Sequence, residues 1–136
     1  MVLLDTHIWL WYAEGDGEQL AAASVRRLDD VRRSEGLLIS AISVWEIGVQ
    51  HRKGRIQLSA PLRDWVHQAL SPAGMSLLPI DADVAAESTL LPGEPHGDPA
   101  DLLLIATARL KGAVLATRDQ DILEYGKYGW VRAERM

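Results

Sequence analysis

Asp98 and Asp101 stand three residues apart at the head of the run His96–Gly112, HGDPADLLLIATARLKG. Asp is a favoured helix N-cap, and Pro99 suits the first helical position, where no amide hydrogen bond is lost. Arg109 and Lys111 fall in the last turn, where the helix dipole favours cations, and Gly112 suits the left-handed residue beyond it. Between these ends Leu102, Leu103, Leu104, Ile105, Ala106, Ala108 and Leu110 are apolar nearly all round, the pattern of a helix buried inside a domain. Two carboxylates are thereby fixed at the mouth of a buried helix, a costly place for negative charge unless a cation joins them.

Three more acids have positions that bring them to the same place. Met1–Leu4 reads as a short buried strand ending at Asp5, and Ala113–Thr117 as another, followed by Asp119. In open parallel sheets the working groups gather at the carboxyl ends of strands, so Asp5, Asp101 and Asp119 share one cleft if the central helix starts at that sheet edge. Glu46 lies about six residues into a helix that begins at Ser40 or Ser43, hence roughly 9 Å from its start. That helix is apolar on most sides (Ile42, Val44, Trp45, Ile47, Val49) and leaves a narrow polar stripe of Ser43, Glu46 and Gln50.

Four carboxylates in one cleft repel each other and raise their pKa values unless cations intervene. Hard divalent cations with oxygen ligands, Mg²⁺ or Mn²⁺, suit such a set. Held there, they activate water and stabilise charge building on a phosphate. The pattern points to metal-dependent phosphodiester hydrolysis.

The elements that must position these acids alternate between strand and helix. Helices are expected over Thr6–Glu14, Glu18–Ser34 and Ser40 or Ser43 to Gln50. A further helix opens at Pro61 and closes at Ser71-Pro72, and another runs from Asp81 or Asp83 to Leu91. Strands are expected at Gly36–Ile39, Ser76–Ile80 and Gly129–Arg132, with Arg118–Tyr125 a short helix or turn. This order indicates an α/β fold with a mostly parallel sheet. The 136 residues make one expected domain, 1–136, large enough for a proper core.

Composition excludes several function classes. No apolar run is long enough to cross a bilayer, and the start MVLLDTHIWLW lacks a basic leader segment, so a cytoplasmic protein is expected. The absence of cysteine excludes disulfides, zinc–thiolate sites and thiol catalysis. A net charge of −5 argues against binding nucleic acid through overall charge, so any such contact needs a local basic patch or metal ions. Neither GxGxxG nor GxxxxGK[ST] occurs, which weakens a nucleotide-cofactor reading.

Leu3–Trp11 (LLDTHIWLW), the Glu46 helix, His96–Ala108 (HGDPADLLLIATA) and Leu115–Asp119 (LATRD) together resemble PIN-domain ribonucleases, in particular the VapC-type toxins of bacterial toxin–antitoxin pairs. The resemblance covers nearly the whole chain in order and spacing. It implies a Rossmann-like sheet, a Mg²⁺- or Mn²⁺-dependent endoribonuclease acting on RNA, a homodimer, and inhibition by a cognate antitoxin. It implies that Asp5, Glu46, Asp101 and Asp119 are the acidic quartet that holds the metal, with Thr6 and Thr117 as the hydroxyl residues beside them. Asp98 belongs to an HxDPxD version of the pattern. Leu102 stands where that branch often carries Arg, so a local ion pair or RNA contact lacks its residue here.

Each of these residues has a plainer role beside the catalytic one. Asp98 is well explained as an N-cap, Asp101 as a partner of the helix dipole, and Asp5 as the cap of the helix that follows it. Asp119 suits a turn, with Asp121 sharing or taking its role, and Glu46 suits a solvated helix face. His7 and His96 are lone histidines without a partner at ligand spacing, and are read as packed or solvated. The basic segment His51–Arg55 suits either RNA phosphates or a solvated helix end. Trp9, Trp11, Tyr12 and Trp45 are read as core, with some available to a dimer or antitoxin groove. The rival functions are a non-catalytic PIN-like binding module and a metal-dependent phosphatase or DNA nuclease. The latter would carry an Asp-x-Asp after the first strand, where this chain has Asp5-Thr6-His7.

Overall fold

The computed structural model describes residues 1–136. Five strands, β1 (Val2–Leu4), β2 (Leu37–Ser40), β3 (Met75–Leu78), β4 (Val114–Thr117) and β5 (Arg132–Arg135), form one sheet in the order β3-β2-β1-β4-β5. Every neighbouring pair is parallel. Seven helices connect and cover them: α1 (Thr6–Glu14), α2 (Ala22–Ser34), α3 (Ala41–Arg52), α4 (Leu62–Leu70), α5 (Ala82–Thr89), α6 (Pro99–Lys111) and α7 (Gln120–Lys127).

Alternation along the central strand divides the core into two. Val2 and Leu4 of β1 pack with Ile8, Trp9, Leu28, Leu37, Ile39, Ile47 and Trp65 on one face. Leu3 packs with Leu104, Ile105, Leu115, Ile122 and Tyr125 on the other. Burial on both faces explains why these strands read as unbroken apolar runs rather than alternating ones.

The sequence of strands reverses direction at β1: the chain passes outward through β2 to β3, then returns to the other side of β1 for β4 and β5. Helices starting on either side of this switch point leave a crevice at the carboxyl ends of β1 and β4. Leu4 pairs with Ala116, and Asp5 N–H extends the ladder by donating to the Ala116 carbonyl at 2.9 Å.

Several expected boundaries move, each for a local reason. The second helix begins at Ala22 rather than Glu18, because the Asp16 carboxylate accepts the Glu18 and Gln19 amides at 3.1 and 3.3 Å and holds a turn. Ser40, not Ser43, caps α3 by accepting the Ile42 amide, and Asp81, not Asp83, caps α5. Met75–Leu78 replaces Ser76–Ile80 as the third strand. The last strand is Arg132–Arg135 rather than Gly129–Arg132, since α7 runs on to Lys127 and Gly129 turns the chain at φ +82°. A charged edge strand of this kind has little apolar signal, and its charges discourage edge-to-edge pairing.

Helix α6 is less enclosed than its composition suggests. Leu104, Ile105, Ala106 and Ala108 are buried, whereas Leu102 and Leu103 are half-buried and Leu110 is 47% exposed. Trp45, read from sequence as core, stands 62% exposed on α3. Leu104 has no exposed surface, so Leu104→Ala is expected to lower the unfolding free energy by about 2–5 kcal/mol. Leu110→Ala on the same helix should change it by about 0.5 kcal/mol or less. Urea denaturation of both variants checks the contrast.

Candidate active site

The crevice at the switch point receives Asp5, Asp101 and Asp119 from helix starts and strand ends, and Glu46 from the middle of α3. Asp5, directly after β1, is mostly buried and caps α1. Its Oδ1 accepts the Thr6 amide at 2.6 Å, and its Oδ2 accepts the Thr117 hydroxyl at 2.6 Å. The Thr117 hydroxyl also accepts the Asp119 amide at 3.0 Å. One buried side chain at the end of β4 thus ties both acids together. Asp119 in turn caps α7, its Oδ1 accepting the Ile122 amide at 3.0 Å.

Glu46 is held from the other side. Thr6 Oγ1 donates to Glu46 Oε1 at 2.5 Å and lies 2.8 Å from Ser43 Oγ. The Thr6 proton is committed to Glu46, so the Ser43 hydroxyl is the donor of the second bond. Ser43 is fully buried. Ser43 and Glu46 of the polar stripe read from sequence are therefore joined through Thr6 in a partly internal chain of hydroxyls that ends on Glu46.

Asp101 lies in the first turn of α6, whose N-cap Asp98 accepts the Asp101 amide at 3.0 Å. Burial pushes the Asp101 carboxyl up to about 7, and the charges of Asp98, Asp5, Asp119 and Glu46 add to the effect. Every influence on it acts in that direction. Glu46 is also raised, first by burial and then by Asp98 and Asp5, against the lowering effect of the Thr6 hydroxyl and His7. Asp5 is raised by burial in spite of its bonds to Thr117 and Thr6 and the nearby His7.

The structure therefore brings Asp5, Glu46 and Asp119 within electrostatic reach of Asp101, and adds Asp98. The N-cap reading of Asp98 and its place beside the other acids are both realised by one side chain. Asp5 and Asp119 likewise act as caps while facing the crevice charges. His7 sits at the edge of the group with its ring 5.6 Å from that of Trp11. Asp121 and His96 instead line a separate hollow with Tyr128 and Trp130. The segment His51–Arg55 is largely exposed at the far end of α3.

Gly97 is a site residue that motif reading passed over. It adopts φ +141°, and a Cβ there would lie 2.9 Å from Asp101 Oδ2. Only glycine lets the loop close over that carboxylate without displacing it. The signal in the sequence is the glycine directly before Asp98-Pro99.

Packed carboxylates with oxygen donors alone fit a hard divalent cation. No group of three or more His, Asp or Glu side chains stands so that it could hold an ion by itself.

This arrangement, a parallel sheet whose switch point collects acids from β1, α3, α6 and β4, is that of a PIN domain. The PIN-domain family matches residues 2–128, and the chain belongs to that family. Within it, the chain is a homologue of the VapC ribonucleases. It is 33% identical over 119 residues to Ribonuclease VapC22 of Mycobacterium tuberculosis strain H37Rv, a match covering 88% of this chain and 87% of that protein. Among solved structures, VapBC2 from Rickettsia felis, bound to a DNA fragment from its promoter, superposes with a TM-score of 0.71 at 17% identity. That match covers 99% of this chain and 98% of that one. A toxin–antitoxin complex from Klebsiella pneumoniae gives a TM-score of 0.61 at 24% identity, covering 90% of each chain. At these identities the two structures show a shared fold.

The raised Asp101 carboxyl has a consequence for stability. It holds a proton more tightly folded than unfolded, so between 3.8 and about 7 the folded chain carries more protons and its stability falls as pH rises. Asp101→Asn removes this loss. In a chelator the variant is expected to be more stable than the parent above about pH 7, with the gap closing as pH falls toward the ordinary carboxylate range. Urea denaturation at a series of pH values measures the gap, and Mn²⁺ should narrow it at high pH.

Proposed function

We propose that this chain is a metal-dependent endoribonuclease, the toxin of a toxin–antitoxin pair, whose catalytic and metal-holding residues are Asp5, Glu46, Asp101 and Asp119. The observation that carries the reading is the convergence of these acids with Asp98 on one crevice, where Asp101 is pushed up to about 7. Kinship with Ribonuclease VapC22 supports RNA as the substrate class.

The four acids would hold one or two Mg²⁺ or Mn²⁺ ions, partly through water. A divalent cation bound there supplies a nucleophilic water at neutral pH and offsets the charge that builds on the scissile phosphate. The rest is the work of the chain's own side chains. Thr117 and the Thr6 amide each engage one oxygen of Asp5 and fix its carboxylate plane. Thr6, backed by Ser43, engages Oε1 of Glu46. Asp101 carries a proton below about pH 7 and releases it when positive charge is supplied.

The remaining parts of the reading follow the family. The partner is a cognate antitoxin protein, as the VapBC and Klebsiella pneumoniae complexes suggest. The working form is a homodimer of one-domain chains in the cytoplasm. No helix is long and apolar enough to cross a membrane.

The test is cleavage of total cellular RNA by the purified, antitoxin-free chain, with Mn²⁺ or Mg²⁺ and with a chelator. Cleavage that needs the cation and disappears in both Asp5→Asn and Asp101→Asn supports the reading. Equal cleavage by either variant refutes it. Single-stranded DNA and a small phosphoester run in parallel separate the DNA nuclease and phosphatase alternatives, and calorimetry with no divalent binding would favour a non-catalytic module. Thr117→Val keeps the size of the side chain and removes the hydroxyl that orients Asp5. It is expected to reduce cation affinity or cleavage rate by about 10–100-fold.

A further inference from the structure

Arg118 stands between two residues of the site, Thr117 and Asp119, at the turn from β4 into α7. A cation in that place would ordinarily pair with the acids around it, yet Arg118 forms no ion pair. Its side chain turns the other way and meets three separate segments. Nε donates to the Met136 carbonyl, just beyond β5, at 3.1 Å. Nη2 donates to the Gln19 carbonyl and Nη1 to Gln19 Oε1 at 3.4 Å, in the turn that precedes α2. The guanidinium carbon sits 4.6 Å from the centre of the Trp11 ring on α1. These anchors are themselves fixed. The Met136 amide donates to the Thr117 carbonyl at 3.2 Å, and Met136 packs against the core beneath α1. Gln19 belongs to the turn held by Asp16, next to Leu20, which is buried. A planar fork of donors serves two carbonyls and a ring face at once, which the ammonium of a lysine cannot do.

We propose that Arg118 is a positioning residue: it fixes the β4–α7 turn so that the Thr117 hydroxyl meets Asp5 and the Asp119 amide together. That hydroxyl donates to Asp5 Oδ2 at 2.6 Å and accepts the Asp119 amide at 3.0 Å. One oxygen serves both partners only while residues 117–119 keep a single path. Strand pairing holds the path as far as Thr117, opposite Arg135. Beyond it the ladder stops, and Asp119 is held by its cap of α7 and by Thr117. Arg118 supplies the missing restraint from outside the crevice, where it adds no side chain to the space between the acids. The geometry stands without a cation; its consequence for catalysis rests on the nuclease reading.

Two readouts test it on the parent chain, Arg118→Ala and Arg118→Lys. The first is amide hydrogen exchange by NMR, in chelator. Both variants are expected to lose protection at the Asp119 amide by roughly two- to tenfold, the worth of one hydrogen bond, while the amides of β2 keep theirs. The second is Mn²⁺ affinity by calorimetry. By charge alone, losing a cation beside carboxylates tightens Mn²⁺ binding. The proposal expects the opposite, a weakening of about tenfold in both variants. In a Thr117→Val background Arg118→Ala should add little, because both act through one hydroxyl. Arg118→Lys keeps the charge and one donor, so it carries the test if Arg118→Ala does not fold. Unchanged protection at Asp119, an equal loss across the whole sheet, or tighter Mn²⁺ binding in Arg118→Ala overturns the proposal. So does parent-like behaviour of Arg118→Lys, or full additivity with Thr117→Val. Loss of Asp119 protection in a chain whose parent binds no Mn²⁺ and cuts no RNA supports the positioning role and overturns the nuclease reading instead.

Discussion

Mutual repulsion among carboxylates at the switch point of the sheet is the constraint around which this structure is arranged. Asp5, Glu46, Asp98, Asp101 and Asp119 act on one another across a single crevice, and burial removes much of the water that would screen them. The fold offsets the repulsion piecemeal. Backbone amides at the starts of α1, α6 and α7 bond to Asp5, Asp98 and Asp119, and threonine hydroxyls bond to Asp5 and Glu46. Asp101 is left without such help, and it is the group whose proton affinity rises furthest.

Hydroxyl side chains organise the site as much as the acids do. Thr117 links the end of β1 to the start of α7 through one oxygen, because parallel pairing sets it opposite Asp5. Ser43 and Thr6 link α3 to α1 through a buried chain of two hydroxyls. Polar groups buried at this depth are stable only when bonded, so the requirement to satisfy them also fixes where Glu46 stands. Packing and chemistry are set by the same contacts.

The exposed indole on α3 adds a different kind of surface next to the acids. The apolar side chains Ile42, Trp45, Ile80 and Pro99 line a hollow that also borders Glu46 and Asp98.

Much of this was legible in the sequence because it is local. The cap and stop of α6 are written in Asp98-Pro99 and Gly112, the buried strands in Val2–Leu4 and Leu37–Ile39, and the alternation of elements in their order along the chain. Asp5, Asp101 and Asp119 could be named from their place after strands and at a helix start, and Glu46 from the polar stripe of an otherwise apolar helix. What sequence could not decide depends on contacts between distant segments. Ser43 reads as a possible helix cap or part of a polar stripe until Thr6, 37 positions earlier, is packed against it. Trp45 reads as core until the turn of α3 against the sheet shows which way it faces. The second helix starts late because one Asp16 carboxylate captures two amides, and the last strand is a charged edge whose only instruction is its pairing with β4. Short-range propensity determines which elements exist, while burial and pairing, which need the whole fold, determine which faces they show.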